Sequence, residues 1–153
     1  KINKQSAKIG ELAADDFVRS KCPNAKLIHP KDIGTSISKP GDFDMVYKVE
    51  EPPPGEIIIV EAKGGSSSLG SRKIGNEAYQ QGTSKYAAEI ISLMDSKKHG
   101  TTEKNAANSI NSAIQDDIPI RYIHTQAEIS SSGKVSKFKA KEFDIDIGEF
   151  RSG

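Results

Sequence analysis

Two short segments of this chain carry residues whose types and spacing suit chemistry on a phosphodiester. The first is Gly41-Asp42-Phe43-Asp44-Met45-Val46-Tyr47, and the second, beyond a proline-rich turn, is Ile57-Ile58-Ile59-Val60-Glu61-Ala62-Lys63. Strand side chains alternate faces, so Glu61 and Lys63 point the same way with Cα atoms about 6.5–7 Å apart. Four apolar residues run directly into them, the pattern of an interior strand. Burying unpaired charge costs several kcal/mol, so a carboxylate and an ammonium at that place imply a role other than packing. Asp44 and Glu61 offer hard oxygen ligands suited to Mg²⁺, with Mn²⁺ or Zn²⁺ as alternatives. A divalent ion acidifies its bound water and so supplies a nucleophile at neutral pH. Lys63 would orient that water or offset charge developing on the phosphate. Asp44 sits within the alternation Phe43-x-Met45-x-Tyr47, whereas Asp42 reads equally as a further ligand or as a turn residue beside Gly41. The plain alternative for Glu61 and Lys63 is an exposed ion pair worth under about 1 kcal/mol.

The elements that must hold these residues follow from periodicity. Ala7 to Lys21 reads as a helix with Ile9, Leu12, Ala13 and Phe17 on its apolar face, Glu11 just off that face, and Cys22-Pro23 as its stop. Residues 25–29 suit a short strand. Asp42–Val49 and Glu56–Lys63 suit two more, joined through Glu51-Pro52-Pro53-Pro54-Gly55. Gly64 to Arg72 reads as a flexible loop beside the site, with Arg72 and Lys73 placed to contact substrate phosphates. It is not a nucleotide-binding P-loop, because Ser71 and Arg72 stand where that motif needs lysine and a hydroxyl. A helix is expected over 76–94, with Tyr79, Thr83, Tyr86, Ile90 and Met94 inward and Gln80 and Gln81 polar. Another is expected over Glu103–Ile114, with Ala106, Ala107, Ile110, Ala113 and Ile114 inward. Strands over Ile118–Ile129 and Val135–Ile147 complete an α-β-β-α-α-β-β order, which predicts one domain of α/β (α+β) class with helices on a mixed central sheet.

The Asp…Glu-x-Lys arrangement resembles the PD-(D/E)xK, or restriction-endonuclease-like, nuclease superfamily. Glu-Ala-Lys-Gly-Gly at 61–65, Leu-Gly-x-Arg at 69–72 and Tyr-Gln-Gln-Gly-Thr-x-x-Tyr at 79–86 are more specific. Together they resemble the nuclease domains of bacterial polymorphic toxins, the C-terminal segments of contact-dependent growth inhibition systems, over roughly residues 7 to 94. The resemblance implies a restriction-endonuclease-like core in which Glu11, Asp44 and Glu61 hold one or two metal ions, with Asp42 a further candidate. It also implies Lys63 as the catalytic lysine, and Gln80 and Gln81 as residues shaping the substrate site. A toxin of this kind, excised from the end of a longer secreted or surface protein, would act in the cytoplasm of a target bacterium. A cognate immunity protein covering the site would neutralise it.

Composition sets limits on these readings. A chain of 153 residues is one domain by size, and with 35% hydrophobic residues it can bury a core. No apolar run is long enough to span a membrane, and the single cysteine, Cys22, excludes an internal disulfide and a multi-cysteine zinc site. His29, His99 and His124 show no metal-binding spacing. The net charge of +1 argues against extensive nonspecific duplex binding and leans the substrate towards a compact RNA such as tRNA, with DNA the alternative. Local charge is uneven. Five basic residues and one acidic residue lie between Arg121 and Lys141, followed by four acidic residues from Glu142 to Glu149. Lys137, Lys139 and Lys141 form a row on one strand face, suited either to a phosphate backbone or to a solvated edge. Phe143, Ile145 and Ile147 then take over the odd positions, which suggests a bulge near Lys141-Glu142. Two further classes fit the same residues: a non-catalytic nucleic-acid-binding module built on this fold, and a housekeeping nuclease.

Overall fold

The computed structural model describes residues 4–33, 41–66 and 69–145. Helix α1 (Lys4–Lys21) leads into strands β1 (Lys26–His29), β2 (Met45–Val49) and β3 (Glu56–Gly64). A hairpin of β4 (Ser71–Ile74) and β5 (Glu77–Gln80) precedes helices α2 (Ser84–Asp95) and α3 (Thr102–Gln115), and β6 (Ile120–Ile129) and β7 (Val135–Glu142) follow. Five strands form one sheet in the order β1-β2-β3-β6-β7, while β4 and β5 pair with each other. β3 and β6 run parallel and the other neighbours antiparallel, so the sheet is mixed. A parallel pair needs a long crossover, and α2 and α3 lie within it.

Residues paired across strands share a face, so register sorts the sheet into two sides. On one side Val46, Ile57, Ile59 and Tyr122 pack under Ile90 and Met94 of α2 and Ile110 and Ile114 of α3. On the other Met45, Tyr47, Ile58, Val60 and Ile123 pack under Ala14 and Val18 of α1. Each large aliphatic side chain sealed in this way contributes roughly 1.5–3 kcal/mol. β3 is covered on both sides, which explains its unbroken apolar run.

The buried face of α1 is rotated from the expected one. Ala14 and Val18 are sealed, Phe17 is half-buried against Phe138, and Leu12 stays 43% exposed. Small residues set this rotation, because α1 crosses the end of β3 at backbone contact. A Cβ on Gly10 would lie 2.9 Å from Lys63 and Gly64 backbone atoms, and one on Gly64 would overlap the Ser6 carbonyl oxygen.

The segment expected as a helix from residue 76 is instead the β4–β5 hairpin, turning at Gly75 with φ +66°. Gly82, with φ +95° and the Phe143 ring where a Cβ would go, ends that hairpin rather than sitting inside a helix. α2 starts only after Thr83, whose Oγ1 accepts from Tyr86 N–H at 3.2 Å. Thr83 is therefore a cap, Gln80 lies on β5 and Gln81 in the turn beyond it. Thr101 caps α3 in the same way, so that helix begins one residue before the expected Glu103, and all five of its expected inward residues are buried.

β7 pairs with β6 in constant register from Ile123↔Glu142 to Glu128↔Lys137, with no bulge at Lys141-Glu142. The irregularity lies at Glu128/Ile129 instead. Lysine gives way to Phe143 and Ile145 because the same sheet face passes from open solvent to the cover over Tyr122, not because the strand turns over. Residues 146–147, the end of the expected strand, lie outside the described residues.

The crossing of α1 over β3 has a measurable consequence. Gly64→Ala should lower stability by about 1–3 kcal/mol through overpacking, read as a reduced denaturation midpoint. Gly75→Ala, where a Cβ would meet nothing within 4 Å, should cost only the strain of its positive φ, on the order of 1 kcal/mol. Equal, small effects of both substitutions would contradict the close crossing.

Candidate active site

The register Met45↔Val60 brings Asp44, one residue before β2, level with Glu61 on the α2–α3 side of the sheet. Each carboxylate accepts from a backbone N–H across the β2–β3 pair. Asp44 N–H donates to Glu61 Oε1 at 3.4 Å, and Ala62 N–H donates to Asp44 Oδ2 at 2.8 Å. Tyr122 completes the cradle, donating its hydroxyl to Glu61 Oε2 at 2.8 Å while accepting from Gly82 N–H at 3.3 Å. Glu61 is 0% exposed. Burial, and next the charge of Asp44, hold its carboxyl well above the usual carboxylate range, against the opposing pull of Tyr122 and Lys63. Burial and the Glu61 charge also push the Tyr122 phenol far up, so it remains a hydrogen donor.

Lys63 follows two residues on, half-buried and paired in register with Gln126, whose Nε2 donates to the Gly65 carbonyl at 3.0 Å. His124 is the register partner of Glu61 and stacks on Phe143 with centroids 5.9 Å apart. Burial, then Lys63, lower its pKa, so the imidazole is neutral near pH 7, and its buried Nε2 has no hydrogen-bond partner among the described residues. Tyr86 faces the same region. Its phenol is pushed up to about 12, by burial first and the Glu61 charge second, and it is hydrogen-bonded to Gln81.

The other expected site residues divide. Glu11 is buried at 7% exposure, next to the Gly10 crossing of the β3 end, and so lies within the packed layer rather than off it. Arg72 lies on β4 with its Nε 3.7 Å from Glu89 of α2, and its neighbour Lys73 is exposed. Gln81 accepts from Gly70 N–H at 2.7 Å and so closes the hairpin against α2, whereas Gln80 faces solvent. Asp42 turns to a different cluster: its Oδ2 lies 3.6 Å from His29 Nε2, with Glu103 as the third member.

Tyr122, His124 and Gln126 were not singled out from the sequence, although their signal is there. Ile120-x-Tyr122-x-His124-x-Gln126 repeats on β6 the pattern of Ile57-x-Ile59-x-Glu61-x-Lys63, an apolar face ending in polar side chains. Two parallel strands of that pattern side by side place their polar ends together.

Two like charges in one buried cradle suit a hard divalent cation, which would relieve the repulsion that raises the proton affinity of Glu61. Without such an ion, Glu61 binds its proton more tightly in the folded chain than in the unfolded one. Its contribution to stability is then present below the unfolded value of about 4.3 and lost as pH rises through the raised folded value. Denaturation in EDTA should therefore show a midpoint falling from pH 5 to pH 8, and Glu61→Gln should flatten that fall. A wild-type chain as stable at pH 8 as at pH 5, with the variant unchanged, would contradict the buried pair. Comparison with protein-family models, curated proteins and solved structures gives no match to this chain, so what the site does is read from its own residues.

Proposed function

We propose that the chain is a metal-dependent nuclease with a restriction-endonuclease-like core, hydrolysing phosphodiester bonds of a structured RNA such as tRNA. The observation that carries this reading is the placement of Asp44, Glu61 and Lys63 on one sheet face at the same end of the β2–β3 pair. Asp44 and Glu61 would hold the divalent ion, Mg²⁺ first. When bound it supplies an acidified water and neutralises phosphate charge. Tyr122 fixes the rotamer of Glu61 through Oε2 and keeps that oxygen from turning away. Lys63 extends from the same face and offsets charge growing on the phosphate. Neutral His124, beside Glu61, has an imidazole nitrogen available to take a proton.

Register also supports a nucleic-acid substrate. Lys141, Lys139 and Lys137 pair with His124, Gln126 and Glu128, which puts the lysine row on the Glu61–Lys63 side of the sheet. All three are exposed, and their charge continues from Lys63 to the sheet edge. A row confined to one strip suits a short contact with a folded RNA better than the long track that duplex binding needs. The likeness of residues 61–86 to polymorphic toxin nucleases adds the setting: a toxic domain delivered to a rival cell and blocked by an immunity protein with an acidic face.

The test is cleavage of total tRNA and of plasmid DNA in parallel, with EDTA, Mg²⁺, Mn²⁺ or Zn²⁺. Asp44→Asn and Lys63→Ala should each lower the rate by about 10²-fold or more. Replacing Lys137, Lys139 and Lys141 by Gln should instead raise KM and flatten the salt dependence of binding by roughly 2 in log–log slope. Absence of cleavage under every metal would overturn the enzyme, and cleavage of DNA alone would move the substrate to the DNase alternative.

A further inference from the structure

Away from the Asp44–Glu61 pair, three segments distant in sequence converge. His29 ends β1, Asp42 lies just before β2, and Glu103 opens α3. One ligand atom from each lies within 4.8 Å of the other two, the one such group of His, Cys, Asp and Glu among the described residues. The His29 and Asp42 side chains are only 7% and 5% exposed.

The two ring nitrogens of His29 have different neighbours. His29 Nδ1 lies 2.9 Å from Thr102 Oγ1, and that hydroxyl lies 3.5 Å from Glu103 Oε1. With Nδ1 engaged by Thr102, Nε2 is the nitrogen turned to Asp42 Oδ2, at 3.6 Å. The 3.6 Å separation exceeds that of a charge-assisted hydrogen bond and approaches that of two ligands on one ion. A charge-assisted N–H···O bond draws to about 2.7–2.9 Å. Two ligands sharing one ion at about 2.0–2.1 Å in tetrahedral geometry sit roughly 3.3–3.4 Å apart. A ligating imidazole is also ordinarily held by a partner on its other nitrogen, the part Thr102 plays here.

We propose that His29 Nε2, Asp42 and Glu103 form a second divalent-cation site of Zn²⁺ type, separate from the Asp44–Glu61 site, which clamps β1, the approach to β2 and the N-terminus of α3 together. Imidazole with two carboxylates is a donor set that Zn²⁺ accepts, with water in the fourth position. The site is structural, and it does not depend on the chain being a nuclease.

The experiment measures Zn²⁺ bound to the full chain after EDTA treatment and reloading with Zn²⁺ alone, in an Asp44→Asn, Glu61→Gln background that removes the carboxylate pair of the other site. About one equivalent should remain, and it should fall at least tenfold in occupancy on adding His29→Gln or Glu103→Gln. Zn²⁺ at 100-fold over its Kd should raise the melting temperature of the background protein by several degrees and leave the Glu103→Gln form unmoved. Circular dichroism establishes that each variant is folded. If a variant does not fold, the ¹⁵N shift of His29 Nε2 on adding Zn²⁺ to the unsubstituted chain gives the same answer. No Zn²⁺-dependent change, with His29 instead titrating as an imidazolium paired to Asp42, would overturn the proposal. Zn²⁺ binding that survives His29→Gln and Glu103→Gln would overturn it equally.

Discussion

A carboxylate with no exposure to solvent, set in the middle strand of a mixed sheet, is the constraint around which the rest of this fold is arranged. An ionised group in that position is tolerated only with several partners, and Glu61 has them from three sources. The Asp44 backbone reaches one oxygen, the Tyr122 hydroxyl reaches the other, and Lys63 supplies an opposing charge. Each partner has its own requirement. Tyr122 must be sealed between Phe43 and Phe143 and fixed by Gly82 N–H, and Gly82 must lack a side chain so that Phe143 can close over it. The glycine that ends the β4–β5 hairpin is thus part of the support of a glutamate twenty-one positions earlier in the chain. Asp44 is the exception among these contacts, because its charge raises the proton affinity that the others lower. Packing alone gives no reason for an acid at that position.

The strands and α3 were legible because their burial is periodic. The apolar run of β3, the short β1 and all five inward positions of α3 stand where alternation and helical spacing put them. The segment 71–82 was not, and the reason is physical. Tyr79, Thr83, Tyr86, Ile90 and Met94 do fall at helical spacing, but positive φ at Gly75 and Gly82 divides the stretch into a hairpin and a later helix. The face of α1 was misjudged for a related reason. Hydrophobicity favoured Leu12, whereas the close crossing of β3 favours Gly10 and Ala14, residues valuable for what they lack.

The same distinction applies to the candidate site. The placement of Glu61, Lys63 and Asp44 together could be read in sequence because they are neighbours within a strand pair. His29 could not, because Thr102, its hydrogen-bond partner, lies 73 positions away. A search for ligand spacing along the chain detects only sites built on one element, and this cluster is built on three.

Asp42 and Asp44 show how little chain separates the two clusters. Two residues apart on a regular strand they would point the same way, yet β2 begins only at Met45, and the stretch before it is free to turn. Asp44 enters the register of β3 as an extension of the ladder, while Asp42 is drawn back to the end of β1 and the start of α3. Phe43 between them is 0% exposed and packs edge-on against Tyr122, so it cannot rotate without disturbing the cradle of Glu61. Whatever fixes Asp42 therefore fixes the backbone on which Asp44 meets Glu61. The carboxylate pair is held not only by its own hydrogen bonds but also by the anchoring of the segment immediately before it.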